Sequence, residues 1–190
     1  MAVRCSVRLG ILKRWTLEDW LCIASWAFFL SYASIVSYTM DHGGGIHEWN
    51  LTKPGAMTVL YWNNMAQIVY SMSILTTKIS LLYLYLGIFA PTRYSKNWWA
   101  VVVVMIANTG FYFGLMFAKI FQCWPRDAIW DKSITGADCV SLVGILDASG
   151  AWNTLSDFTI LALPLLFVWK LKLSREKRFG IIAIFAVGVM

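Results

Sequence analysis

The chain has 190 residues, of which 59% are apolar, 16% aromatic and only 14% charged, with a mean hydropathy of +0.62 and a net charge of +6. A soluble domain carries about 25% charged residues, so 16 basic and 10 acidic side chains are too few to cover a water-facing surface of this size. The apolar content excludes disorder, four cysteines exclude a disulfide-dense secreted module, and basic residues placed beside apolar segments exclude a nucleic-acid binder.

Charge-poor stretches of about 20 residues or more, the helical length that crosses roughly 30 Å of hydrocarbon, recur along the chain. Residues 20–40 hold no charge, 58–89 only Lys78, 98–122 only Lys119, and 141–169 only Asp147 and Asp157, and 179–190 begins a fifth apolar stretch. Strands would leave unpaired backbone groups in lipid, so the prediction is an all-α, polytopic transmembrane bundle with four complete spans and a truncated fifth.

The basic residues orient it. Arg4, Arg8, Lys13 and Arg14 precede the first span, Arg93 and Lys96 lie in link 91–97, and Lys170, Lys172, Arg175, Lys177 and Arg178 lie in link 170–178. Link 41–55 holds only Lys53, and link 123–140 only Arg126 and Lys132. Eleven against three makes 91–97 and 170–178 cytoplasmic and 41–55 and 123–140 exoplasmic. A last span of 12 residues, and an opening stretch from Ala2 to Leu12 that reads as the tail of a preceding helix, suggest a fragment.

Lys78 lies about ten residues, roughly 15 Å of helix, from the predicted cytoplasmic end near Ile88, beyond the reach of a snorkelling side chain. A charge at that depth costs at least about 2.5–3.5 kcal/mol and has to pair or face water inside the bundle. At 100° per residue Asn64, Gln67, Ser71, Lys78 and Tyr85 fall along one helix face, while Gly150, Asn153, Thr154 and Asp157 share a face of the fourth segment. The expectation is a Lys78–Asp157 pair, direct or water-bridged. It is either a packing device that fixes helix register or a ligand or switch site. Asp147 is expected to be hydrated, and Lys119, one turn from its helix end, to snorkel outward.

An ordered set of motifs runs through the chain: Arg4-Cys-Ser-Val-Arg8-Leu, Leu17-Glu-Asp-Trp20, Gly43-Gly-Gly-Ile-His47, Lys78-Ile-Ser80-Leu-Leu-Tyr-Leu-Tyr85-Leu-Gly-Ile-Phe89, Cys123-Trp-Pro125, Trp130-Asp131, Cys139, Asn153, Asp157, Pro164 and Lys177. It resembles the fungal rhodopsin-like domain, a family of seven-helix, receptor-like fungal membrane proteins. The resemblance implies that residues 1–190 are one partial membrane domain holding helices two to six of seven. It also implies a receptor-like role in the plasma membrane or an endomembrane. Gly87 departs from the pattern, standing where the family usually has an arginine before the Ile-Phe pair. Retinal would need a Schiff-base lysine on the last helix of the fold, and Lys78 lies on a different one, so no cofactor is expected.

Cys123 and Cys139 bracket a 15-residue loop on the predicted outer side, where a disulfide would persist and hold Trp124, Pro125 and Trp130 as a lid; two free thiols are the alternative. Cys5 could be palmitoylated, and Cys22 reads as helix packing. Asn50-Leu-Thr52 is a weak N-glycosylation sequon. His42 and His47 read as a wetted turn rather than a metal site. The partners expected are the lipid bilayer, a small and partly apolar ligand among Trp62, Tyr70, Tyr85 and Trp152, and a cytoplasmic signalling protein, with no nucleic acid. A membrane-embedded enzyme of secondary metabolism using Asp157 or Asp147 as an acid, or a small transporter coupled through Lys78–Asp157, are the rival readings.

Overall fold

The computed structural model describes residues 17–89 and 94–170, most of them helical. Four long helices follow one another: α1 (Leu17–Asp41), α2 (Lys53–Phe89), α3 (Lys96–Ile120) and α4 (Leu142–Lys170). Three of them, α1, α2 and α3, are long and apolar enough to cross a membrane. The apolar segment 179–190, the basic opening segment with Cys5, and Arg93, Lys172, Arg175, Lys177 and Arg178 lie outside the described residues.

Local chemistry sets the helix ends. At the end of α1 the Gly44 N–H bonds to the Thr39 carbonyl (2.8 Å) and the Gly43 N–H to the Met40 carbonyl (3.2 Å), so the chain turns out of the helix through Gly43 at φ +102°. A Cβ on Gly44 would stand 2.8 Å from the Thr39 carbonyl oxygen, so this close turn requires glycine. Helix α2 begins at Lys53, five residues before the stretch that hydropathy picks out, because Pro54 in the first turn presets the backbone there. Ser95 caps α3 by accepting from the Trp98 N–H at 3.2 Å.

The helices pack in sequence: α1 along α2, α2 against α3, and α3 against α4, which also touches α2. Burial is inverted relative to a soluble bundle. Trp26, Phe28 and Phe29 on α1, Val103, Ile106 and Phe117 on α3, and Leu155, Phe158 and Leu166 on α4 all face outward. Ser73, Lys78, Asn108 and Lys119 are inside. Apolar side chains outside and polar ones inside are what a hydrocarbon solvent selects. Two apolar layers form the interior: Leu82, Tyr85, Val101, Ile160, Leu163 and Phe167 at one level, and Leu75, Tyr112, Leu115 and Ile145 at the other.

Beyond α3, Cys123–Trp124 pairs antiparallel with Asp138–Cys139, setting Cys123 opposite Cys139, and the two are joined by a disulfide. Cys123, Ala128 and Ile129 form a small core under the loop. The expected lid is half present. Trp130 packs edge-on against Tyr61 of α2 at 5.1 Å, and Tyr61, Trp62 and Tyr38 continue the ring contacts to α1, whereas Trp124 points outward. Closing a loop of this length removes about 3 kcal/mol of unfolded-state entropy. Cys123→Ser is therefore expected to lower the unfolding temperature of the detergent-solubilised protein. Before reduction, maleimide-polymer tagging should leave both wild-type sulfurs unmodified; tagging of both without reductant would contradict the bond.

Candidate functional site

Lys78 is 5% exposed and sits about two-thirds of the way along α2, with its ammonium pointing into the junction of α2, α3 and α4. Its three N–H donors have three acceptors, all from one turn of α4: Ser156 Oγ at 2.5 Å, the Asn153 carbonyl at 3.2 Å and Asp157 Oδ1 at 2.9 Å. The Ser156 hydroxyl in turn donates to the Asn153 carbonyl (3.0 Å). Tyr112 of α3 closes the centre, donating its hydroxyl to Asn153 Oδ1 at 2.9 Å and presenting its ring 5.6 Å from the Lys78 ammonium. The direct Lys78–Asp157 contact is thus present.

The pair is asymmetric. The lysine side chain is sealed in, while that of Asp157 is 52% exposed on a face of α4 that no described element covers, between the outward-facing Leu155 and Phe158. One carboxylate oxygen neutralises the lysine and the other is open to whatever lies against α4. The arrangement can hold a charge inside a membrane, accept a hydrogen bond from a neighbouring molecule, or exchange a proton with one.

The other residues singled out from sequence divide. Asn153 belongs to the centre. Tyr85 does not: it is buried two turns away in the apolar layer with Leu82 and Phe167, its ring 6.1 Å from Phe89. Gln67 lies at a second polar centre, described below, with its side-chain Oε1 buried and unpartnered. Among the described residues the aromatic candidates make separate ring contacts. Trp62 meets Tyr38, Tyr70 meets Tyr32 on the α1 side, and Trp152 stacks on Phe111 at 4.5 Å. Asp147 is exposed, and Asn50 is exposed in a short 3-10 turn before α2. His42 stacks on Tyr38 and His47 on Trp49, so the two imidazoles serve different ring contacts.

Lys119 corrects an expectation. It does not snorkel outward: it is 2% exposed and turned back against α2, where its ammonium donates to Ser71 Oγ (2.9 Å) and to the Gln67 carbonyl (3.2 Å). Its own carbonyl accepts from Asn64 Nδ2 (3.3 Å). The polar face of α2 supplies these acceptors, and a helix-face count on the third segment contains the matching signal, since Asn108, Tyr112 and Lys119 fall on one line at 100° per residue. Ser156 and Tyr112 were missed for the same reason: hydroxyl-bearing residues look neutral until a cation is placed beside them.

A membrane-embedded helix bundle with polar centres sealed between apolar layers defines the class of protein. The model of the fungal rhodopsin domain matches residues 3–190, and the chain belongs to that family. It is 35% identical over 159 residues to a SAT4 family membrane protein of Emericella nidulans, a match covering 84% of this chain and 41% of the relative. It is 30% identical over 192 residues to Fugralins biosynthesis cluster protein 2 of Gibberella zeae, covering 99% and 48%. Wortmanamides biosynthesis cluster protein C of Talaromyces wortmannii is 22% identical over 174 residues, covering 90% and 47%. The chain thus spans less than half the length of these curated relatives. No solved structure matches it.

The geometry of the Lys78 centre makes its energetics coupled. Removing either partner leaves the other charge in a low-dielectric site, whereas removing both leaves none. Lys78→Met and Asp157→Leu are each expected to destabilise the protein, and the double variant to be less destabilised than the sum, with a coupling of about 1–3 kcal/mol. Unfolding of the four proteins under one set of detergent conditions measures it; additive effects would mean that the pair contributes no coupling.

Proposed function

We propose that this chain is part of a receptor-like, multi-pass membrane protein that takes a small, partly apolar molecule between its helices at the Lys78–Asp157 centre. The observation that carries the reading is the half-exposed Asp157 carboxylate, anchored to a buried lysine yet open on one side within an otherwise apolar helix face. Intramembrane ionisable groups of this kind mark ligand or ion sites. In this reading α4 is a fourth span, and α1 to α4 correspond to helices two to five of a seven-helix bundle. The disulfide-bearing end faces the exoplasm, supported by the scarcity of basic residues there and by the oxidising chemistry a disulfide needs. Occupancy would be reported to a cytoplasmic partner through the basic links 91–97 and 170–178.

A second reading has its own support: two of the relatives carry the names of biosynthesis cluster proteins. In it the same carboxylate acts as an acid or base toward an apolar intermediate, making the protein a membrane-embedded enzyme.

One experiment tests both. The full-length protein in lipid nanodiscs is incubated with an apolar extract of a fungal culture, and retained compounds are identified by mass spectrometry. Retention of a compound with unchanged mass, lost in Asp157→Asn, is the receptor outcome. Time-dependent appearance of a new mass, also lost in Asp157→Asn, is the enzyme outcome. Equal retention by wild type and Asp157→Asn would remove this centre from either role.

A further inference from the structure

The two buried lysines sit in cradles built alike. Lys78 donates to a serine hydroxyl and to a backbone carbonyl, and the same serine donates to that carbonyl: Ser156 and Asn153. Lys119 repeats the triangle with Ser71 and Gln67, its ammonium 2.9 Å from the hydroxyl and 3.2 Å from the carbonyl, with the hydroxyl 2.9 Å from the carbonyl. An ammonium has three donors. At Lys78 the third meets a carboxylate. At Lys119, among the described residues, no carboxylate lies within ion-pair distance and the third donor has no acceptor.

The vicinity of Lys119 is otherwise polar and unsatisfied. Asn64, 4% exposed, holds Lys119's carbonyl with its Nδ2 and leaves its Oδ1 without a partner, as does Gln67 with its Oε1. A sealed cation with one open donor calls for an anion, and two open amide oxygens on the same helix face call for a hydrogen-bond donor. Along the bundle the next layer is apolar, made by Leu75, Leu115 and Ile145 with the Tyr112 ring.

We propose that the open position at Lys119 is a binding site for the carboxylate of a small apolar acid, whose neighbouring hydroxyl or N–H is taken by Asn64 and Gln67. Lys119 is one residue from the end of α3 and four from Cys123, which sets the position near the disulfide-bearing end. The site is separate from the Lys78–Asp157 centre. Ser71 and Lys78 stand seven residues apart on α2, about 10 Å along its axis, and the proposal does not depend on what binds at Asp157.

The test uses the full-length protein in nanodiscs with a photoreactive 2-hydroxydecanoic acid carrying a diazirine and an alkyne, compared with its methyl ester. The acid is expected to label peptides containing residues 64–71 or 115–122 about tenfold more than the ester, with excess unlabelled 2-hydroxydecanoate competing. Lys119→Gln should reduce acid labelling about tenfold, the effect of losing one charge-assisted contact. Ser71→Ala, which removes one acceptor from the cradle without touching the lysine, should weaken labelling as well and serves if Lys119→Gln does not fold. Equal labelling by acid and ester, labelling indifferent to both Lys119→Gln and Ser71→Ala, or no labelling of these segments would overturn the proposal; the last is the result if a carboxylate elsewhere in the protein fills the position.

Discussion

Hydrocarbon offers no hydrogen bonds, so every polar group placed in it must find its partners within the protein. Lys78 shows the constraint most sharply. Its ammonium replaces a shell of water with three fixed oxygens drawn from one turn of a neighbouring helix. For those three oxygens to converge, α4 must lie against α2 at one register, with Ser156 and Asn153 turned inward. Tyr112 can bond Asn153 only if α3 fills the gap between them. One charge thereby fixes the relation of three helices that generic apolar packing would leave free to slide, since lipid-facing leucines and phenylalanines contribute no register of their own.

The interior is consequently striped. An apolar layer around Leu82 and Val101, the Lys78 centre, a second apolar layer around Leu75 and Leu115, the Lys119 cradle and the disulfide-closed loop succeed one another along the bundle. Apolar layers between the polar centres keep each set of hydrogen bonds in a dry, low-dielectric setting, where they are strongest and where a missing one is most costly. Hydroxyls elsewhere in the helices are kept from competing for these sites. Ser31, Ser34, Thr39, Thr76 and Thr159 each donate to a carbonyl one turn back on their own helix.

Much of this was legible in the sequence, for physical reasons that also explain what was not. The helices could be read because spans of about 20 uncharged residues have few alternatives in a bilayer, and Lys78 and Asp157 because a charge inside such a span demands a partner. The start of α2 was not, because hydropathy registers the edge of apolarity while Pro54 and the preceding turn set the edge of the helix. Lys119 was misread because distance from the helix end suggests that a lysine can reach water, but the choice between water and Ser71 is made by the neighbouring helix. Tyr85 was misplaced for the converse reason. It shares the helical face of Lys78, yet the layer opposite it is Ile160, Leu163 and Phe167, so the same stripe serves a polar centre at one height and an apolar one at another.

Helix α2 runs for 37 residues, about 55 Å, against roughly 30 Å of hydrocarbon. Tilt within the range helices adopt in membranes does not absorb that difference, so the helix is longer than the hydrocarbon layer it would cross. It touches both lysine centres, through Lys78 itself and through Gln67 and Ser71, as α3 does through Tyr112 and Lys119. Both lysine centres thus lie along the length of a single continuous helix. Over that length, a change of about 10° in its inclination about one tip corresponds to about 10 Å at the other.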